Sequence, residues 1–142
     1  MKKYYISFTE REVLTQEQYK EKFAQLVKET INSQDDFCDY LEIEKNITLN
    51  TFNTLPKKEQ NAIKKIWEKE TKRNTKDYLE EDCCYFSYTP KSNKFYVDWK
   101  WEEIMSEKAF LKDIKPLLKG RTVKEAKEIV LTKYDTIEII VE

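Results

Sequence analysis

An α+β domain is what this sequence predicts, with a mixed or antiparallel sheet of about four strands set against several helices. Three observations lead there. Short stretches that alternate with period two stand near both ends of the chain and around residue 90. Between them run longer stretches with apolar residues at helical spacing, most of them opened by a capping signal. The composition is 39% hydrophobic and 37% charged, with three Trp, nine Tyr and seven Phe, which is too aromatic for a disordered chain.

Taken in order, Lys3 to Thr9 alternates Tyr4, Ile6 and Phe8 against Tyr5, Ser7 and Thr9 and reads as a strand. Thr15-x-x-Gln18 is a capping box for a helix to about Asn32, with Tyr19, Phe23, Leu26 and Val27 on its apolar stripe. Ser33-x-x-Asp36 repeats the signal before DDFCDYLEIE, a short helix whose inner face is Phe37, Tyr40 and Leu41. NITLNTFNTL reads as a connector with one helical turn holding Leu49, Phe52 and Leu55. Pro56 suits the first turn of a third helix, because its missing N–H costs nothing there. That helix runs to about Lys76, with Ala62, Ile63, Ile66 and Trp67 expected inward.

The stretch CCYFSYTPKSNKFYVDWKWEE reads as a hairpin, with PKSN as the turn between two aromatic strands. Pairing Thr89 with Lys94 sends Cys84, Phe86, Tyr88, Phe95, Val97 and Trp99 to a core face. Tyr85, Ser87, Tyr96, Asp98 and Lys100 then share the opposite, more polar face. Glu102 to Lys119 is expected to be a helix that Pro116 ends or kinks, with Gly120 at its C-cap. Thr122-x-x-Glu125 caps a last short helix, and TIEIIVE closes the chain as a strand. On this reading there is no internal repeat, linker or low-complexity tract, and residues 1–142 form one domain.

The residues that are missing narrow the function. A dinucleotide fingerprint, a P-loop and a nucleophile elbow each need two or more glycines, and the chain has Gly120 alone. There is no histidine, so the commonest general base and metal ligand is absent. Cys38, Cys83 and Cys84 cannot complete a four-ligand zinc site without it; they read as small buried or half-buried side chains in a reducing compartment. No targeting segment or membrane span is legible, so a soluble, cytoplasmic protein is expected, without a cofactor or metal and not an enzyme.

Net charge is −1, but it is unevenly spread. Residues 35–44 carry Asp35, Asp36, Asp39, Glu42 and Glu44 with no base, and residues 77–82 carry Asp77, Glu80, Glu81 and Asp82. Residues 45–76 between them hold nine Lys or Arg against three Glu. On a helix, Lys58, Lys65, Lys69, Lys72 and Lys76 fall along one line for about 27 Å, a row that could follow a nucleic-acid backbone or sit in solvent. Asp35, Asp36 and Asp39 invite a metal reading, but carboxylates just after the Ser33 cap are better explained by the helix dipole. Tyr85 and Tyr96 could form a stacking platform, or serve as ordinary half-exposed strand residues.

With helices such as FCDYLEIEKN and LPKKEQNAIKKIWEKE beside short aromatic strands, the chain resembles the small accessory proteins of bacterial phages and mobile elements, the anti-CRISPR proteins among them. The resemblance implies a non-catalytic inhibitor that binds a host nucleic-acid-handling protein, with the nuclease Cas9 one candidate, and it carries no site residues with it. The expected partner-binding residues come from the charge and aromatic pattern: Asp35, Asp36, Asp39, Glu42, Glu80, Glu81, Asp82, Tyr85 and Tyr96. A nucleic-acid-binding regulator using the lysine row, and a structural oligomer, are the alternatives.

Overall fold

The computed structural model describes residues 2–133 and 135–141. It is an α+β fold with two antiparallel three-stranded sheets rather than one sheet of four. The chain divides into two compact units, a helical unit of residues 17–84 and a sheet-rich unit that joins residues 1–16 to residues 85–142.

The helical unit is built from α1 (Gln16–Ile31), α2 (Gln34–Tyr40), α3 (Leu49–Thr54) and α4 (Lys57–Asp77). Ser33 Oγ accepts from the Asp36 N–H at 3.2 Å, and Thr48 Oγ1 accepts from the Thr51 N–H at 3.2 Å, so two of the helices start on side-chain caps. Pro56 stands at the N-cap of α4, one residue earlier than its sequence suggests. Wider π-helical turns, Leu41–Lys45 and Tyr78–Asp82, follow α2 and α4. Phe37, Tyr40, Leu41, Phe52 and Trp67 form the core, with the Phe37 and Trp67 rings 4.6 Å apart. The inner face of α4 runs Ile63, Trp67, Thr71, Thr75 at four-residue steps, so Ala62 and Ile66 are left exposed. Threonine can close this stripe because Thr75 Oγ1 donates to the Thr71 carbonyl at 2.8 Å.

The sheet-rich unit holds β1 (Tyr4–Ser7), β2 (Glu12–Thr15) and β3 (Phe86–Tyr88) in the order β2-β1-β3. Its second sheet has β4 (Lys94–Asp98), β5 (Glu103–Ser106) and β6 (Thr136–Ile140) in the order β5-β4-β6. The expected hairpin does not form: β3 pairs with β1, and β4 pairs with β5 and β6. Residues 89–93 therefore join two sheets. Tyr4 and Ile6 from one sheet meet Phe95 and Val97 from the other, with Tyr4 edge-on to Phe95 at 5.2 Å. On the far side of β4, Tyr96 stacks on Phe110 at 3.7 Å beneath α5 (Glu107–Ile114) and α6 (Val123–Lys133). β4 is thus covered on both faces. Tyr96 is 1% exposed and Phe86 is 38% exposed, the reverse of the expected assignment, and Trp99 is half-buried.

The expected helix from Glu102 begins later, because residues 103–106 are taken by β5 and Ser106 Oγ caps α5 through the Ala109 N–H. Thr122 and Glu125 form the reciprocal capping box before α6. Gly120 takes a left-handed φ of 75° after the 3₁₀ turn Lys115–Leu118. Of the three cysteines, Cys83 is buried, Cys38 is half-buried and Cys84 is exposed.

Contrary to the sequence reading, the fold contains a repeat. YYISFTEREVLTQEQY (residues 4–19) corresponds position by position to FYVDWKWEEIMSEKAF (residues 95–110). Each segment is a hairpin with a four-residue loop that leads into a helix, and each first strand pairs with a third strand from further along the chain. Ser7 Oγ accepts from the Glu10 N–H at 2.9 Å, and Asp98 Oδ1 accepts from the Lys100 and Trp101 N–H groups at 2.9 and 3.1 Å, at equivalent positions. The last loop residues, Arg11 and Glu102, have φ of 52° and 53°. Cys84 and Asp135, each two residues before the third strand's pairing with Ile6 or Val97, have φ of 58° and 53°. Only Tyr5/Tyr96 and Glu12/Glu103 are identical over the sixteen positions, so the repeat shows in the backbone and is hidden in the letters.

A polar network closes the α6 side of the second sheet. Tyr96 donates its hydroxyl to Glu138 at 2.6 Å, Lys127 pairs with the same carboxylate, and the Lys127 ammonium lies 5.5 Å from the Tyr96 ring centre. The hydrogen bond from Lys127, and then that from Tyr96, holds the Glu138 carboxyl below its ordinary value of 4.5. The bond to Glu138 in turn raises Lys127 above 10.5.

Trp67→Ala should destabilise the chain by about 3–5 kcal/mol and Ile66→Ala by well under about 1 kcal/mol, read by denaturant unfolding. Equal losses would mean the inner face of α4 is misassigned. The stabilising share of Glu138, taken as wild type minus Glu138→Gln, should be full above pH 4.5 and shrink as pH falls through the lower folded-state value. Lys127 should contribute fully below pH 10.5 and lose its share as pH rises through its raised value. A wild type minus Glu138→Gln difference that stays flat from pH 6 to pH 2 would contradict the network.

Candidate functional site

A groove of about 530 Å³ lies within the helical unit. Its floor is Trp67 and Tyr40, whose rings sit 6.3 Å apart and rest on Phe37. The rim carries five carboxylates from different parts of the chain: Glu29 on α1, Asp36 and Asp39 on α2, Glu44 in the first π-helical turn, and Glu70 on α4. No lysine or arginine lines it. Both π-helical turns reach the groove, the first through Ile43 and Glu44 and the second through Tyr78. Such widened turns shift the side-chain register by a residue and recur at functional sites. Ile43 is 78% exposed and Tyr78 is half-exposed, so an apolar and an aromatic side chain stand among the charges.

Two buried hydroxyl-bearing residues line this opening. Tyr40 is 8% exposed and Thr71 is 5% exposed, and among the described residues neither hydroxyl makes a hydrogen bond. No fully buried side-chain polar atom among the described residues is unsatisfied, so both oxygens keep access to solvent, and both residues line the groove. Burial, followed by the charges of Glu70 and Glu44, pushes the Tyr40 phenol above 10.0 and keeps it protonated near neutral pH. Among the described residues, no group of three or more His, Cys, Asp or Glu side chains is close enough to hold a metal ion.

The residues expected to bind a partner are divided by the structure. Asp36 and Asp39 line the groove, while Asp35 and Glu42 are exposed beside it and do not. Glu80, Glu81 and Asp82 are exposed on the second π-helical turn and contribute nothing to the lining. Tyr85 and Tyr96 are buried, each hydroxyl donating to a carboxylate (Glu12 and Glu138), so they form no open aromatic face. Lys58, Lys65, Lys69, Lys72 and Lys76 are all exposed on α4, on the side opposite the Trp67 face. Sequence reasoning missed Glu29 and Glu70. Glu70 lies three residues from Trp67 on the groove side of α4 while its neighbours in sequence are mostly basic, so a local charge sum conceals it.

No helix among the described residues is long and apolar enough to cross a membrane. Comparison with protein-family models, with curated proteins and with solved structures finds no match to this chain.

Proposed function

We propose that this chain is a non-catalytic binding protein that sets the acidic groove of its helical unit against a basic surface of a protein partner. A nucleic-acid-handling protein presents such a surface, and occupying it inhibits that protein; a Cas nuclease is the first candidate because of the resemblance in sequence character. The observation that carries the reading is the gathering of five carboxylates, with Ile43 and Tyr78, around one groove that no cation lines. Charge complementarity of this kind sets association rate and partner choice. Exposed apolar and aromatic side chains inside a charged rim are the usual composition of a contact centre.

The test is competition. Host proteins captured on the immobilised chain are identified, and the strongest is offered labelled DNA with and without the chain. The chain should displace DNA. Reversing Asp36, Asp39, Glu44 and Glu70 to lysine should weaken partner binding by at least about tenfold, mainly through slower association. Reversing Glu80 and Glu81 should weaken it less. A partner that holds the chain and saturating DNA together would count against the inhibitory reading.

A second reading rests on the exposed lysine row of α4, none of whose five members has an ion-pair partner among the described residues. If the chain itself binds nucleic acid, Lys58, Lys65, Lys69 and Lys72 reversed to glutamate should abolish binding, and affinity should fall steeply with salt. Stability gives an independent check on the groove. Like charges around an opening repel, so Glu70→Gln should leave the chain as stable or raise its stability by a few tenths of a kcal/mol. A clear loss of melting temperature would mark Glu70 as a structural residue instead.

A further inference from the structure

Resting on the binding function proposed above, we infer that the groove is a receptor for an arginine side chain presented on a short segment of the partner. A guanidinium is flat and offers five N–H donors in its plane, so it is best held by a flat ring beneath it and several acceptors around it. Trp67 and Tyr40 supply the ring floor, Glu44 and Glu70 the charged acceptors, and the unpartnered Tyr40 and Thr71 hydroxyls the neutral ones. A cation over an aromatic face gains further attraction in a partly desolvated site.

The alternatives fit less well. A divalent metal needs several carboxylates converging on one point, and no such group occurs among the described residues. Phosphate is repelled by the rim. A lysine ammonium carries three donors on a strongly hydrated point charge and leaves more of the acceptors unused. The volume of about 530 Å³ exceeds a single side chain, which leaves room for the backbone on either side of the arginine.

The probe is acetyl-Gly-Arg-Gly-amide, titrated into the full ¹⁵N-labelled chain, beside counterparts in which citrulline or lysine replaces arginine. The arginine peptide should shift the Trp67 indole signal and the amides of residues 70–75. Citrulline, which keeps the shape but loses the charge, should bind at least about tenfold more weakly, and lysine several-fold more weakly. Tyr40→Phe and Thr71→Val each remove one hydroxyl at nearly constant volume. Each should weaken arginine binding by about three- to tenfold without lowering the melting temperature. A diffuse acidic patch would respond to neither substitution.

The inference is overturned if the arginine peptide leaves the Trp67 region unmoved, if citrulline binds as well, or if both hydroxyl variants bind as tightly as wild type. Its failure is separable from failure of the wider function. Loss of partner binding on carboxylate reversal together with a silent peptide titration removes the arginine site alone. Peptide binding without any DNA competition removes the inhibitory role alone.

Discussion

The sheet-rich unit depends on one strand that has no outside. β4 has a hydrogen-bonded neighbour on each edge and apolar cover on each face. Phe95 and Val97 point into the space between the two sheets, while Tyr96 points to α5 and α6. A strand enclosed on four sides cannot slip by a residue, since a slip would exchange its two cores. Asp98, the buried carboxylate at its end, spends one oxygen on two backbone N–H groups of the following loop, which fixes where the strand stops and β5 begins. The aromatic residues on both faces of FYVDW are explained by this enclosure and not by exposure to a ligand.

In the helical unit a different constraint dominates. α4 carries Lys58, Lys65, Lys69, Lys72 and Lys76 on one side and, on the other, Trp67, Thr71 and Glu70. The helix can sustain that asymmetry because its inner stripe is completed by threonines that need no distant partner: Thr75 bonds back along the helix, and Thr71 lines the groove. The cost is a ring of like charges around the groove. Clustering of that kind weakens a fold unless something binds there, and natural sequences accept it most often at functional surfaces.

Much of the helical layout was legible in the sequence because helices announce themselves locally. The Ser33 and Thr122 caps, the Phe37/Tyr40/Leu41 face and the turn around Phe52 all rest on contacts within a few residues. Strand partners carry no such local mark. PKSN has the composition of a hairpin turn, yet β3 is taken by β1, some eighty residues earlier, and that pairing is a long-range event. The strand Glu12–Thr15 was hidden beneath a capping signal, because the residues that cap a helix can also end a strand. Half of the groove was visible as an acidic run; Glu29 and Glu70 were not, since only the fold brings α1 and α4 to the same opening.

The repeat has a consequence for how such a chain can change. In its second copy the crossover from second to third strand spans residues 107–135, and in its first copy the same crossover spans residues 16–85 and contains the whole helical unit. Loop closure grows only logarithmically in cost with length, so a crossover that already tolerates two helices can tolerate more with little added penalty. The helical unit is therefore a cassette carried in a connection, with its own core and its own groove. Its groove is free to be rewritten while the twin hairpins keep the same backbone pattern.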